Sequence, residues 1–465
     1  PFMKRYFLLF LLAWSIMTGV QAQDTGISTQ LLERLRSKYQ PTASDKALDN
    51  AVAINGLKAL GTTAYNNAYD TYFSHKVKSK GITDQKRSGR CWLFTGLNVM
   101  RAKAIAKFGM GDFSFSQNYC FFYDQLEKSN LFLQSVIDNA SKPMDDRFVE
   151  WLFKNPISDG GQFTGISDII TKYGVVPAEA MPETFTSNNT SDYAKIISLK
   201  LREYGLTLRA LSAQGKSKKE IQAQKEEMLS TVYRLLVRCY GMPPKTFSWT
   251  LKNAKGEPVS TKEYTPLSFY QEFVGTDLKN SYVMFMNDPT RPYYKNYTID
   301  MDRHTYDGQN WTYVNVPMDE IREMAISSIK DSTMMYMSCD VGKELDSKKG
   351  FEDAGNYCYA NLLGTTFPMN KKERIQTFAS GSSHAMTLMA VDIDPQGKPR
   401  KWMVENSWGA DYGYKGHIIM TDEWFGEYVF RLVVDKKYIP QKLLDITRQK
   451  PEPLPAWDPM FAPEP

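Results

Sequence analysis

A cysteine at the start of a predicted helix is the residue best placed for nucleophilic chemistry. Cys91 follows the polar, glycine-containing segment Gln85-Lys86-Arg87-Ser88-Gly89-Arg90. Apolar residues then recur with the spacing of one buried helix face, and Gly109 is a typical helix stop. Unpaired N–H groups in a first helical turn favour the thiolate, which is the reactive form. A single cysteine of this kind is more often structural, so the assignment depends on partners elsewhere in the chain.

A thiol nucleophile needs a base and a group that orients that base. His384 stands at the mouth of a predicted apolar strand, after the small residues Ser380-Gly381-Ser382-Ser383. Asn406 follows another predicted strand and can accept a hydrogen bond from the imidazole, which Trp408 could shield from water. Taken singly, a structural histidine and a turn-forming asparagine are the commoner interpretations.

The attacked carbonyl also needs a donor for the oxyanion that forms on it. Gln85 can aim its side-chain amide there and join the Cys91 N–H, although an isolated glutamine is more often exposed. Gly160 and Gly161 form a turn whose backbone can approach another chain closely, although an ordinary loop has the same composition. The order of nucleophile, base and orienting residue along one chain favours a cysteine hydrolase.

Composition indicates a folded protein without a strongly charged partner. The chain has 465 residues, 42% hydrophobic and 13% aromatic, with a net charge of +5. This charge is too small to indicate nucleic-acid binding. The four histidines and five cysteines form no His-Glu-x-x-His or Cys-x-x-Cys motif, so we expect no metal and no other cofactor. The odd cysteine count leaves disulfide pairing open.

The N-terminal region has the pattern of a secretory signal peptide. Lys4-Arg5 precede a short apolar run, and small residues end at Ala22. We expect cleavage after Ala22 and an exported protein, periplasmic or extracellular, with no stable membrane anchor after removal of the signal. Loss of Lys4 and Arg5 would lower the net charge by two, to +3.

The pattern along the chain predicts an α+β architecture, with helices first and a sheet later. Ser116 is predicted to cap a second helix extending towards residue 137, and helices are also predicted at 191–240 and 318–330. Predicted strands lie at 313–316, 333–341, 385–392 and 401–405, followed by a hairpin at 406–421. The predicted divisions are a signal peptide at 1–22, an N-terminal extension packing on the core at 23–80, a helical half at 81–190, an inserted, mainly helical region at 191–299, a β half at 300–440, and a tail at 441–465.

These motifs resemble the papain superfamily, although Ser88 and Arg90 replace two residues of its usual Cys-Gly-Ser/Ala-Cys-Trp/Tyr signature. The interval from Cys91 to His384 also exceeds the papain-type spacing of about 130 to 150 residues, which implies a large insertion. With these two departures, the sequence resembles one branch of the superfamily, that of bleomycin hydrolase and bacterial aminopeptidase C. The resemblance covers nearly all of the mature chain and includes Gln85-Lys86-Arg87-Ser88-Gly89-Arg90-Cys91-Trp92, Asp159-Gly160-Gly161-Gln162, Cys339-Asp340-Val341-Gly342-Lys343, His384-Ala385-Met386-Thr387 and Leu454-Pro455-Ala456-Trp457-Asp458-Pro459-Met460.

The resemblance implies a papain-like core of a helical half and a β-barrel-like half, with oligomerising elements in the insertion. It implies roles for Cys91 as nucleophile, His384 as acid and base, Asn406 as its orienting partner, and Gln85 in the oxyanion site. Gly160 and Gly161 would hold the substrate backbone. It further implies a homo-hexameric ring and a C-terminal tail in each cleft, where the carboxylate of Pro465 would bind the substrate ammonium.

The leading hypothesis is a cysteine aminopeptidase that removes N-terminal residues from peptides. An endopeptidase is the alternative if the tail, whose tip Phe461-Ala462-Pro463-Glu464-Pro465 differs from the family pattern, does not block the cleft. A third hypothesis is an exported ring that binds peptides or nucleic acid without turnover. The preferred N-terminal residue and the physiological peptides are left open.

Overall fold

The computed structural model describes residues 26–461, which divide into two compact units at Thr62. The described part of the first unit is helical, with α1 at Thr29–Lys38, α2 at Ala43–Ile54 and α3 at Leu57–Gly61. The predicted signal peptide and residues 462–465 lie outside the described residues. Within residues 26–461, no helix combines the length and hydropathy needed to cross a bilayer.

The second unit contains the remaining helices. They are α4 Cys91–Phe108, α5 Gln117–Asp138, α6 Arg147–Lys154, α7 Phe163–Tyr173, α8 Ser191–Ala213, α9 Lys218–Tyr240, α10 Pro266–Phe273, α11 Met318–Lys330, α12 Tyr359–Leu363, α13 Lys371–Gln376, α14 Asp422–Tyr428 and α15 Gln441–Thr447. Two 3-10 helices lie at Ala178–Ala180 and Lys436–Tyr438.

The strands lie in the same unit. They are β1 His75–Lys76, β2 Phe247–Lys252, β3 Pro258–Tyr264, β4 Tyr282–Met286, β5 Lys295–Ile299, β6 Thr312–Asn315, β7 Met335–Cys339, β8 Leu345–Asp346, β9 Phe351–Glu352, β10 His384–Ile393, β11 Pro399–Glu405, β12 His417–Thr421, β13 Val429–Asp435 and β14 Glu452–Leu454.

Twelve of these strands form one mixed sheet, and β2 and β3 form a separate hairpin. The order is β14-β5-β6-β4-β13-β7-β10-β11-β12-β9-β8, with β1 paired to β10. The centre of the sheet, from β4 through β13, β7, β10 and β11 to β12, is antiparallel. β10 begins with the sequence-predicted base His384, and its orienting residue Asn406 directly follows β11.

Local capping explains where the two central helices begin and end. The Ser116 side chain accepts a hydrogen bond from the Tyr119 N–H and starts α5. Gly109 ends α4 in the left-handed conformation, with φ at 61°. The predicted limits of α11 agree with the observed ones. Helix formation in these segments therefore follows from signals in the local sequence.

The sheet begins earlier in the chain than the sequence predicted. β4 and β5 lie before residue 300, where the β half was placed, and β4 pairs antiparallel with β13 about 150 residues later. The apolar side chains of β4 from Val283 to Met286 are buried by this pairing. The insertion is therefore shorter than 191–299. At the other end, the first unit stops at Thr62 and β1 already joins the sheet, before the predicted limit at residue 80.

Helix α4 joins the helical half to the sheet. It packs against α5 and α7 on one side and against β10 and β7 on the other. Fourteen of its eighteen residues are buried, including Trp92, Leu93 and Leu97. Cys91 is therefore the first residue of a largely buried helix.

Candidate active site

Cys91 is the first residue of α4 and is buried, with 4% of its surface exposed. The preceding residue, Arg90, is completely buried and donates two hydrogen bonds to Glu183, at 3.1 and 2.9 Å. Its guanidinium also lies over the rings of Phe94 and Phe121. Arg90, which departs from the usual papain signature, therefore fixes the start of the helix that carries the thiol.

His384 and Asn406 form a direct hydrogen bond. His384 begins β10, Asn406 directly follows β11, and the antiparallel pairing of these strands brings the two residues together. His384 Nε2 lies 2.8 Å from Asn406 Oδ1, and both side chains are buried. The Trp408 ring stacks on the imidazole, with centroids 4.7 Å apart.

The hydrogen-bond network identifies the tautomer of His384. Asn406 Oδ1 also accepts a hydrogen bond from the Ser407 N–H at 2.8 Å, so this atom is the amide oxygen. Nε2 of His384 must then donate to it and carry the proton. Nδ1 is left with a lone pair, which is the requirement for a base that takes a thiol proton.

The environment of His384 disfavours the imidazolium form. Burial lowers the pKa of His384 to about 4, and the hydrogen bond to Asn406 opposes this shift. An imidazole with this pKa is neutral near pH 7. It can therefore accept a proton without first having to lose one to solvent.

Gln85 is tied to the same network through Ser407. The Gln85 N–H donates to the Ser407 carbonyl at 2.8 Å, and Gln85 Oε1 accepts from Ser407 Oγ at 2.6 Å. Gln85 Nε2 donates one hydrogen bond to the Ser88 carbonyl at 2.6 Å. A primary amide has a second N–H, so one donor of a firmly oriented side chain is left for an oxyanion.

A buried ion pair connects α4 to the strand that ends at Asn406. Arg101 on α4 pairs with Glu405, the last residue of β11, and these side chains are 2% and 0% exposed. The other carboxylate oxygen of Glu405 accepts a hydrogen bond from Ser79 Oγ at 2.6 Å. The helix that begins at Cys91 and the strand that precedes Asn406 are thus held together by a buried ion pair.

Gly160 and Gly161 lie beside the start of α4. Asp159, just before them, accepts hydrogen bonds from the Gly89 N–H at 2.7 Å and from Trp92 Nε1 at 2.9 Å. A side chain at Gly161 would collide with the rings of His304 and Trp92, whereas Gly160 faces open space. The glycine turn is therefore held against the residues on either side of Cys91.

A cleft with a volume of about 400 Å³ runs past this turn. Its walls include Gly89, Gly160, Gly161, Ser382 and Phe461. Gly89 precedes Cys91 by two residues and Ser382 precedes His384 by two, so the cleft borders both segments. A peptide lying in it would run along the glycine turn.

Comparison with known proteins places this arrangement in a family. A family model described as the Peptidase C1-like family matches residues 26–461. The chain belongs to this family. It is 41% identical to bleomycin hydrolase of Rattus norvegicus over 401 residues, which cover 84% of this chain and 88% of that protein. It is 36% identical to aminopeptidase C of Lactobacillus delbrueckii subsp. lactis over 442 residues, which cover 94% of this chain and 98% of that one.

A solved structure agrees over the same length. The crystal structure of PepW from Lactobacillus rhamnosis HN001 matches with a TM-score of 0.91 and 37% identity, covering 94% of this chain and 99% of that one. The papain-like α+β fold, the family resemblance and the cysteine peptidase class are therefore confirmed. These relatives do not favour the endopeptidase or the binding ring.

A histidine that the sequence motifs did not indicate, His304, lines the cleft of this peptidase. His304 is buried behind the glycine turn, and its Nδ1 lies 2.5 Å from Asp124 Oδ1. Lys128 pairs with Asp124 at 3.0 Å and donates to the Gly160 carbonyl at 2.6 Å. This trio supports the turn from behind. No local motif marks it, because its members come from α5 and from a loop about 180 positions further along the chain.

The predicted tail reaches the cleft as far as the structure describes it, since Phe461 lines the wall. Pro465 lies outside the described residues, so its binding of the substrate ammonium stays a prediction. The five cysteines, all within the described residues, form no disulfide. Among residues 26–461, no cluster of histidine, cysteine and acidic side chains could hold a metal ion.

Proposed function

We propose that the protein is a cysteine aminopeptidase that removes N-terminal residues from peptides through an acyl-enzyme at Cys91. Two kinds of relative, bleomycin hydrolase and aminopeptidase C, support this reaction. The observation that carries it is the network in which Gln85, Ser407, Asn406 and His384 are connected by direct hydrogen bonds. It supplies an oriented base and an oriented amide donor to the cleft beside the Cys91 helix.

Acylation begins when the Cys91 sulfur attacks the carbonyl carbon of the first peptide bond. The pair of Cys91 and His384 shares one proton in the reactive state, and His384 Nδ1 holds this proton once the thiolate forms. His384 then gives the proton to the leaving amine. Asn406 keeps Nε2 protonated throughout, so the ring cannot turn its reactive nitrogen away from the thiol.

The negative charge that develops on the carbonyl oxygen needs donors that are already in place. The Cys91 N–H belongs to the first turn of α4, at the positive end of the helix dipole, and is proposed as the first donor. Gln85 Nε2 supplies the second donor. Deacylation repeats the sequence with water as nucleophile and His384 as its base, and it releases a single amino acid.

The tail is the feature that favours an aminopeptidase over an endopeptidase. Phe461 already occupies part of the cleft wall, so the non-primed side has limited room for residues before the scissile bond. In this proposal the residues after Phe461 continue into the cleft, and the carboxylate of Pro465 binds the α-ammonium of the substrate.

A substrate panel tests the proposed function. The mature protein is incubated with a free-amine aminoacyl amide and with its N-acetylated analogue, each with and without a thiol alkylator. An aminopeptidase cleaves only the free-amine substrate, and the alkylator abolishes this cleavage. Equal cleavage of both would indicate an endopeptidase, and cleavage of neither would indicate a binding protein. Cys91→Ala should be inactive yet folded, and full turnover in that variant would refute the mechanism.

The assembly and the compartment form part of the same proposal. We infer a homo-hexamer with the clefts facing an inner cavity, because the sequence resembles a family with this assembly. Light scattering coupled to size exclusion tests it, and a monomer would contradict it. We also infer export, periplasmic or extracellular, from the signal-peptide pattern at 1–22. An exported protein whose N-terminus is Gln23 would support this, and a retained N-terminus would refute it.

A further inference from the structure

One buried arginine holds the last described residues against the cleft. Arg431 lies on β13, is 7% exposed, and lines the cleft wall. Its Nη2 donates a hydrogen bond to the Met460 carbonyl oxygen. Its guanidinium carbon lies 4.4 Å from the centre of the Phe461 ring. Arg431 therefore binds both the backbone and the side chain of the final segment.

The Phe461 ring has a second contact within the protein. It stacks on Tyr313 of β6, with centroids 5.7 Å apart and an interplanar angle of 30°. Tyr313 is fully buried, so this ring gives Phe461 a fixed apolar surface. A cation and an aromatic ring together define where the Phe461 side chain lies.

A separate set of contacts holds the chain just before this segment. Arg291 Nη2 donates to Asp458 Oδ2 at 2.6 Å, and the Met460 N–H donates to Asp458 Oδ1 at 3.1 Å. β14 pairs with β5 further upstream. The chain is thus positioned as far as Asp458 by contacts that do not involve Arg431, whereas Arg431 contacts Met460 and Phe461.

An acidic side chain balances the charge of Arg431. Asp302 also lines the cleft, where burial raises its pKa to about 7 and the nearby Arg431 opposes that rise. If Arg431 is replaced by a neutral residue, Asp302 can take up a proton instead of being left as an unpaired anion. A neutral substitution at Arg431 therefore does not force a buried negative charge to remain at Asp302.

We propose that Arg431 is the positioning residue that keeps the C-terminal segment in the non-primed side of the cleft. Through that segment it determines how many residues a substrate can have before the scissile bond. The inference rests on the proposed function, because it explains how this cleft is limited to N-terminal cleavage. It assigns that limit to one side chain of the sheet and not to the tail alone.

The test compares Arg431→Met with the wild type, each as the full chain and as a chain truncated after Asp458. The measured quantity is kcat/KM for an N-acetylated peptide divided by kcat/KM for the free-amine peptide. Losing the charge-assisted hydrogen bond and the ring contact should raise this ratio about 30-fold in the full chain. In the truncated chain, the substitution should leave the ratio unchanged, because the segment on which it acts is absent.

Two further variants give the test a control and an alternative. Arg400→Met removes an arginine of β11 that pairs with Asp392, is 57% exposed and does not line the cleft, so its ratio should equal that of the wild type. Phe461→Ala removes the ring contact without a change at Arg431, and it should also raise the ratio. This variant provides the test if Arg431→Met fails to fold.

The outcomes separate this inference from the proposed function. A selective wild type with an unchanged ratio in Arg431→Met and Phe461→Ala would overturn the inference alone. An equal rise in the full and truncated chains would also overturn it, because the arginine would then act without the tail. A wild type that cleaves both peptides equally would overturn the proposed function and this inference together.

Discussion

At the scale of single residues, the site consists of side chains whose orientation is determined by hydrogen bonds to one another. Asn406 Oδ1 accepts from both His384 and the Ser407 N–H, which identifies the protonated nitrogen of the imidazole. Ser407 Oγ in turn donates a hydrogen bond to Gln85 Oε1, so the amide nitrogen of Gln85 points away from Ser407. The base and the oxyanion donor are therefore oriented by two consecutive residues after β11, Asn406 and Ser407.

Replacing Gln85 tests the role of its amide nitrogen. Gln85→Ala should lower kcat by about 10²- to 10³-fold with little change in KM, because the lost hydrogen bond forms fully only in the transition state. Steady-state kinetics with a free-amine substrate measures both constants. Gln117→Ala, a buried glutamine on α5 outside the network, is the control. A kcat for Gln85→Ala within threefold of the wild type would remove Gln85 from the mechanism.

The pKa of His384 predicts the acid limb of activity. A second proton on the pair of Cys91 and His384 blocks catalysis, and burial disfavours this doubly protonated state by lowering the pKa of His384 to about 4. The acid limb of kcat/KM should therefore lie well below pH 6.5, the ordinary histidine value. The free energy of unfolding should fall as the pH drops from about 6.5 to 4, since the unfolded chain binds this proton more tightly. An acid limb at pH 6.5 would contradict the assignment.

At the scale of elements, the site depends on the packing of α4 against β10 and on one ion pair. Arg101 and Glu405 hold α4 and β11 together close to Asn406, and both side chains are inaccessible to water. Burial raises the pKa of Glu405, and Arg101 opposes that rise. The pair therefore aligns two elements at a cost in desolvation.

Removing one member of this pair should be more harmful than removing both. Arg101→Met leaves a buried carboxylate without its cation, so the free energy of unfolding should fall by about 3 to 5 kcal/mol. The double variant Arg101→Met/Glu405→Met should recover part of this loss, because no charge is left unpaired. Chemical denaturation measures both. Arg448→Met, which removes an exposed pair with Asp445, should change stability by less than about 0.5 kcal/mol. A double variant that is less stable than Arg101→Met would refute this account.

Elements with local signals could be predicted from the sequence, and those without could not. The cap at Ser116 and the stop at Gly109 predict the limits of two helices, and the order of Cys91, His384 and Asn406 predicts the catalytic set. β4 and β5 were assigned to the insertion, because the local sequence does not show that β4 pairs with β13 and β5 with β14, each about 150 residues later. His304, Asp124 and Arg431 were missed for the same reason, since only the tertiary fold brings them to the cleft.

At the scale of the whole molecule, one sheet positions most of the residues that are proposed to take part in the reaction. β10 carries the base, the orienting residue directly follows β11, β13 carries Arg431, and β5 pairs with the strand that leads into the tail. The nucleophile comes from the helix that packs on this sheet. The last described residue, Phe461, lines the cleft, so the segment that follows β14 contributes to the same site.

The central claim is that Cys91 forms an acyl-enzyme with one residue of the substrate. The most direct test mixes the protein with an aminoacyl ester, quenches it with acid, and maps the adduct by mass spectrometry of its peptides. We predict a mass increase of one aminoacyl group on the peptide that contains Cys91, and no adduct in Cys91→Ala. An adduct on another residue, or no adduct while turnover proceeds, would contradict the account.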